Sequence, residues 1–113
     1  MIVDDEVDLT EILVEWLTGR GHEALGINRG GEVRTWIQNH DVDVILLDLL
    51  MPDANGLSLI SYVRALKPHT KVIIVSAIDD PKIAASAVHE GASFYLTKPI
   101  DFAELERILT ELE

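Results

Sequence analysis

Short aliphatic runs alternate along the chain with segments in which apolar residues recur every three or four positions. The aliphatic runs predict five strands, at residues 2–3, 23–27, 42–47, 72–75 and 94–96. The third and fourth runs are almost wholly aliphatic, which is typical of strands that are buried on both faces.

Two of the segments between the runs have a clear helical period. One apolar stripe consists of Leu9, Ile12, Leu13, Trp16 and Leu17, and another of Phe102, Leu105, Leu109 and Leu112. Asp8 with Glu11 predicts a capping box for the first helix, and Asp101 predicts an N-cap for the last. Glycines at 19–21 and at 89–92 predict helix ends. Five strands alternating with five helices predict an α/β domain with a parallel sheet.

Composition and charge narrow the function classes. At 113 residues and 48% hydrophobic content, the chain is long enough for one core and short for two, so we predict a single domain over residues 1–113. A formal net charge of -11 predicts no direct binding of nucleic acid or anionic membrane. Because the chain has no cysteine, disulfides and thiolate metal sites are excluded. A cytoplasmic location is our expectation, since the sequence has no leader pattern and no apolar run of membrane-spanning length.

Polar residues collect at the carboxyl ends of the predicted strands. Asp4 and Asp5 follow the first strand, Asp48 ends the third, Ser76 ends the fourth and Lys98 follows the fifth. In an open parallel sheet these ends lie on one edge, where ligands bind near the reversal of strand order. Each residue alone also fits an ordinary turn, and "MPDANG" after Asp48 is typical of a loop. Their coincidence on one edge predicts a site.

The residue types at this edge indicate a particular chemistry. Three clustered carboxylates repel one another, and a cation is needed to keep them ionised. The small number of protein ligands favours magnesium over calcium. The Lys98 ammonium and the Ser76 hydroxyl suit the oxygens of a phosphoryl group. One aspartate could then be a nucleophile that forms an acyl phosphate, and Asp48 is the best candidate because it is the central one.

Four stretches of the sequence, "MIVDDE", "VDVILLDLLMPDANGLSLI", "KVIIVSA" and "GASFYLTKPID", resemble in order and spacing the receiver domain of bacterial two-component response regulators. The resemblance covers the whole chain. It implies a flavodoxin-like (βα)5 sandwich with strand order 2-1-3-4-5. It also implies a phosphorelay domain that takes a phosphoryl group from the phosphohistidine of a sensor histidine kinase or histidine phosphotransfer protein. Such a domain is not an enzyme for outside substrates, because it catalyses only its own phosphorylation and dephosphorylation.

The resemblance assigns a metal site residue by residue. It makes Asp48 the phosphoacceptor and places Mg²⁺ beside it. Asp5, Asp48 and the backbone carbonyl of Leu50 would be direct ligands, and Asp4 would act through metal-bound water.

The resemblance also assigns the phosphoryl contacts and the switch. Lys98 would pair with one phosphoryl oxygen, Ser76 would hydrogen-bond another, and Tyr95 would follow Ser76 by changing rotamer. The Lys98–Pro99 peptide bond is expected to be cis. The face made by the fourth helix, fifth strand and fifth helix, about residues 81–112, would carry a homodimer contact or an output domain.

The sequence departs from the family pattern in ways that leave alternatives open. Only three residues precede Asp4, so we expect a domain truncated at its N-terminus, and one that either acts alone or was cut from a longer protein. A phosphorylation-independent interaction domain of the same fold stays open. Haloacid dehalogenase phosphatases need an aspartate where Leu50 stands. A flavin or nucleotide binder needs a phosphate loop where "DDEVD" would repel phosphate.

Overall fold

The predicted alternation of strands and helices is present in the structure, a computed structural model that describes residues 1–112. Within these residues the strands are β1 (Ile2–Val3), β2 (Gly26–Ile27), β3 (Val44–Leu47), β4 (Leu50–Met51), β5 (Ala54–Asn55), β6 (Lys71–Ser76) and β7 (Phe94–Thr97). The α-helices are α1 (Val7–Gly19), α2 (Val33–Asn39), α3 (Gly56–Leu66), α4 (Pro81–Glu90) and α5 (Phe102–Glu111). One turn of 3-10 helix, Gly30–Glu32, leads into α2.

Five of the strands form one parallel sheet in the order β2-β1-β3-β6-β7. The other two, β4 and β5, form a separate antiparallel ribbon, which we call the 50–55 hairpin. With the hairpin strands left out of the numbering, the sheet has the predicted order 2-1-3-4-5, so the flavodoxin-like fold is confirmed. The strand order reverses between β1 and β3, which is where open parallel sheets bind ligands.

Helices cover both faces of the sheet, so its central strands have two buried sides. Successive side chains of a strand point to opposite faces. On β6, Ile74 therefore packs in one core cluster together with Ile60 of α3. The next side chain back, Ile73, lies in the other cluster with Leu13 of α1 and Leu105 of α5. The continuous aliphatic run of β6 is explained by this burial on both sides.

Some strand boundaries differ from the predictions. The run at 23–27 pairs only over Gly26–Ile27, because its one neighbour in the sheet is the two-residue β1. The run at 42–47 becomes a strand only from Val44. The 50–55 hairpin stands where the sequence predicted an ordinary loop. Pairing partners, more than local propensity, decide where these strands begin and end.

The helix caps confirm one capping prediction and contradict another. Glu6 is the N-cap residue of α1 and makes no side-chain capping bond, so the predicted capping box of Asp8 with Glu11 is wrong. Asp8 lies inside the first turn, one position after the helix start. The predicted N-cap of α5 is confirmed, because the Asp101 side chain accepts hydrogen bonds from two backbone N–H groups of the first turn.

Among the described residues, none of the helices combines the length and apolar character that crossing a membrane requires.

Two predicted helix ends at glycine are confirmed, whereas the predicted burial of Ile12 on the apolar stripe of α1 is wrong. Gly21 after α1 and Gly91 after α4 have φ of 88° and 120°, which disfavours residues with a Cβ atom. On α1, Leu13 and Leu17 are buried as expected. Ile12 is 53% exposed, although the helical period placed it on the stripe. The sheet covers a narrower face of α1 than the sequence pattern predicts.

The neighbouring positions 12 and 13 of α1 give a matched test of this packing. We expect Leu13→Ala to lower the free energy of unfolding by about 2–5 kcal/mol, because it leaves a cavity in the core. Ile12→Ala should change it by less than about 0.5 kcal/mol, since the side chain is half in solvent. Urea denaturation followed by circular dichroism measures both. Equal losses in the two variants would contradict the packing described here.

Candidate functional site

Parallel pairing of β1 with β3 brings two aspartates together at the carboxyl edge of the sheet. Val3 lies beside Leu47 in the register, and the Asp48 N–H donates to the Val3 carbonyl at 2.9 Å. Asp4 follows β1 and Asp48 follows β3, so the two aspartates are neighbours. They are only 3% and 4% exposed, respectively. Two buried carboxylates side by side need nearby positive charge to remain ionised.

Asp5 completes a group of three carboxylates. One oxygen each from Asp4, Asp5 and Asp48 lie within 4.8 Å of one another, and Asp5 is exposed while the other two are buried. Carboxylate oxygens in this number, open to solvent on one side, suit a hard divalent cation that keeps several water ligands. The donor set therefore fits the expected magnesium ion.

Lys98 supplies a positive charge to this group. Its ammonium lies 2.9 Å from Asp4 Oδ2 and 3.1 Å from Asp48 Oδ2. A third carboxylate, Glu6 Oε2, is 3.0 Å away. Lys98 follows β7, and its N–H donates to the Ser76 carbonyl at 2.8 Å, which fixes its backbone at the sheet edge. The Lys98–Pro99 peptide bond is cis, as expected.

The charges of the site influence one another. Burial raises the pKa of Asp4, and the Lys98 ammonium opposes this rise. Burial alone would lower the pKa of Lys98, but its three carboxylate partners together raise it above its ordinary value. Lys98 is therefore a permanent cation at neutral pH.

Ser76 and Tyr95 meet at the same backbone segment. Ser76 is fully buried at the end of β6, and its hydroxyl accepts a hydrogen bond from the Ile78 N–H at 3.3 Å. The Tyr95 hydroxyl, which approaches from β7, donates to the Ile78 carbonyl at 2.7 Å. Burial raises the pKa of Tyr95, the Ser76 hydroxyl opposes this, and the Asp48 charge adds to the rise. Tyr95 therefore stays protonated and can donate at neutral pH.

Leu50 contacts the central aspartate through its backbone. Its N–H donates to Asp48 Oδ1 at 3.0 Å, and it is the first residue of the 50–55 hairpin. Its side chain is exposed. The structure thus brings all seven predicted site residues to one edge, either around Asp48 or on the adjoining Ile78 segment.

Sequence reasoning missed three residues that hold the site in place. Glu6 contacts Lys98, and its only sequence signal is its position directly after the aspartate pair. The Asn28 amide donates to the Asp4 carbonyl at 2.8 Å and to the Thr10 hydroxyl at 2.9 Å. Thr10 and Asn28 come from α1 and the segment after β2, and no motif marked them.

A cavity of about 870 Å³ lies elsewhere, at the amino ends of the strands. Leu25, Val44, His69 and Lys71 are among its lining residues. None of the predicted site residues lines it. The large cavity is therefore not the candidate site, whose residues lie at the opposite edge of the sheet.

The contact between Lys98 and Asp4 makes a testable contribution to the charge state of the site. In metal-free solution, Lys98→Met should raise the pKa of Asp4 further, because it removes the charge that opposes the effect of burial. The carboxyl carbon shift of Asp4, followed by NMR against pH, measures this. Lys82→Met removes an exposed lysine of α4 and serves as the control. An Asp4 pKa that is unchanged or lower in Lys98→Met would contradict the assignment.

Comparison with known proteins agrees with this geometry. The pattern of the response regulator receiver domain matches residues 1–110. The DNA-binding transcriptional regulator NtrC of Azospirillum brasilense is 31% identical over 109 residues, which are 96% of this chain and 23% of that protein. The response regulator PilR of Pseudomonas aeruginosa is likewise 31% identical over 109 residues, 96% of this chain and 24% of PilR. The chain thus spans about a quarter of the length of these curated relatives.

Two solved structures are also similar. A response regulator from Burkholderia pseudomallei, with a phosphorylated aspartic acid, calcium and citrate, has a TM-score of 0.88 and 27% identity, covering 99% of this chain and 64% of that one. The response regulator TrrA from Thermotoga maritima, in complex with Mg²⁺ and BeF, has a TM-score of 0.87 and 28% identity, covering 99% of this chain and 96% of that one. With its sheet order, its cluster of carboxylates and a pattern match over nearly its full length, the chain belongs to the response regulator receiver domains of two-component systems.

Proposed function

We propose that this domain accepts a phosphoryl group on Asp48 from a phosphohistidine donor, in a reaction that requires magnesium. The observation that carries the proposal is the position of Asp48. It is a buried carboxylate where the strand order reverses, it contacts Lys98, and one of its oxygens lies within 4.8 Å of an oxygen of Asp4 and of Asp5.

The chemistry proposed for Asp48 is nucleophilic attack on phosphorus. A carboxylate oxygen forms the new O–P bond while the N–P bond of the donor phosphohistidine breaks, and the electron pair leaves with the imidazole. Catalysis of this kind depends on positioning and charge neutralisation. Lys98, already beside Asp48 Oδ2, would pair with a phosphoryl oxygen in the product.

Asp5, Asp48 and the Leu50 carbonyl would hold Mg²⁺ directly, and Asp4 would hold it through water. When bound, the ion would neutralise part of the negative charge of the phosphoryl group. The similar proteins support this assignment, since one contains a phosphorylated aspartic acid with calcium and another is a complex with Mg²⁺ and BeF. The hydrogen bond from the Leu50 N–H to Asp48 Oδ1 fixes the carboxylate orientation and leaves Oδ2 toward Lys98.

The donor histidine belongs to a partner in this proposal, a sensor histidine kinase or a histidine phosphotransfer protein. The four histidines of the chain lie outside the site residues, and three of them, His22, His40 and His69, line the cavity at the opposite edge. The domain, residues 1–113, would act in the cytoplasm as the receiver part of a regulator. An attached output domain is proposed by analogy with NtrC and PilR, which are about four times as long.

The signal would leave through the face made by α4, β7 and α5. A phosphoryl oxygen bound by the Ser76 hydroxyl would draw the backbone at residue 78 toward Asp48. Because Tyr95 is hydrogen-bonded to the Ile78 carbonyl, its ring would move with that backbone. A homodimer contact or an output domain on this face would then sense the change.

Replacing the proposed phosphoacceptor tests the function directly. We expect Asp48→Asn to lose all acid-labile labelling by radioactive acetyl phosphate with magnesium, because an amide is not a nucleophile here. Asp43→Asn, which changes an exposed aspartate next to the opposite end of β3, should label like the parent. Labelling of Asp48→Asn at the parental level would refute the proposal. Absence of labelling and of BeF binding in the parent would instead favour a phosphorylation-independent interaction domain.

Removing a proposed metal ligand tests the magnesium site. Asp5→Ala should weaken magnesium binding by at least about tenfold, since even residues outside the coordination sphere contribute that much. Calorimetric titration of the purified domain measures the affinity. Asp8→Ala, an exposed aspartate of α1, is the control for net charge. Magnesium affinity that falls equally in the two variants would show that Asp5 acts only through its charge and is not a ligand.

A further inference from the structure

Asp53 makes a two-pronged contact between the 50–55 hairpin and the start of the helical segment before α2. The Gly30 N–H donates to Asp53 Oδ1 and the Gly31 N–H to Oδ2, each at 3.1 Å. Both N–H groups belong to the 3-10 turn, whose first donors have no partner within the turn itself. Hydrogen bonds from Gly31 and Gly30 lower the pKa of Asp53, so the carboxylate is ionised at neutral pH.

The absence of a side chain at Gly30 permits this close approach. A Cβ atom on Gly30 would lie 2.3 Å from the Ala54 Cβ and 3.1 Å from the Met51 Cε. One on Gly31 would lie 3.4 Å from Asp53 Oδ2. The backbone before α2 therefore packs directly on the hairpin, against Met51 of β4 and Ala54 of β5.

The hairpin is also fixed at its other end. Asn55 is the N-cap of α3, and its side chain accepts hydrogen bonds from the first turn, including the Leu57 N–H at 3.0 Å. These anchors hold the turn and β5, and β5 pairs with β4, the strand that begins with Leu50. The Leu50 N–H binds Asp48 Oδ1 at 3.0 Å. A displacement of the hairpin would therefore move a group that contacts the central aspartate.

We propose that Asp53 is a positioning residue, which holds the 50–55 hairpin against Gly30 and Gly31 so that the backbone of Leu50 meets Asp48 in the geometry of the metal site. The part of this inference that concerns the metal rests on the proposed function. Because Asp53 is exposed, its hydrogen bonds compete with water and contribute little to the stability of the whole domain. Its contribution is to local geometry, through preorganisation of the site.

The experiment compares Asp53→Asn with the parent and with Asp43→Asn. Asparagine has an NH2 group in place of one carboxylate oxygen, so in the same geometry it would turn a donor toward one of the two N–H groups and lose that hydrogen bond. Backbone amide exchange is measured by NMR without metal, with Ile73 of β6 as the core reference. Exchange at Leu50 should become about tenfold faster in Asp53→Asn, as expected for a local opening, while Ile73 is unchanged.

The same three proteins are then titrated with magnesium. We expect about tenfold weaker binding in Asp53→Asn and parental binding in Asp43→Asn, which removes the same charge at the other edge. Faster exchange at Leu50 together with weaker binding supports the proposal. Either effect without the other overturns it, as does equal acceleration at Ile73. If the parent itself binds no magnesium, the proposed function fails, and the exchange at Leu50 alone decides whether Asp53 positions the hairpin.

Discussion

The contact of Lys98 with Asp4 and Asp48 is the interaction on which the rest of the site depends. Two carboxylates buried at adjacent strand ends would repel each other and resist losing their water. The Lys98 ammonium, within 3.1 Å of both, makes this burial tolerable. A divalent cation bound to the same carboxylates would compensate the remaining negative charge. The sheet must therefore hold the end of β7 close to the ends of β1 and β3.

The two cores of the domain meet this requirement. Strands β3 and β6 are packed on both faces. On β6, Ile74 and Ile73 lie in opposite core clusters, and on β3 Leu47 and Leu46 do the same. Neither strand can therefore shift without opening a core. The Lys98 backbone is tied to this frame by its hydrogen bond to the Ser76 carbonyl. The carboxyl edge of the sheet is consequently held by packing on both faces.

Two segments extend from this edge of the sheet. The 50–55 hairpin contacts Asp48 through the Leu50 N–H and is held by Asp53 and Asn55. The segment after β6 is held by Ser76 and Tyr95, both at the Ile78 backbone. In the proposed function, the first arrangement would hold the site in place, and the second would link it to the face of α4, β7 and α5. The proposed phosphorelay needs both, since the domain would have to bind its phosphoryl group and report it.

The sequence alone predicted the alternation of the five main strands with the five helices, the strand order through the family resemblance, and the candidate site residues at strand ends, because periodicity and strand-end position are local properties. Tertiary structure decided the rest. Glu6 joins Lys98 across 92 residues, and Asp53 reaches Gly30 across 23, so no local pattern could pair them. The exposure of Ile12 depends on how widely the sheet covers α1, and the length of β2 depends on the number of residues in β1 with which it can pair. Such contacts exist only once packing has fixed the distances between elements that are far apart in the chain.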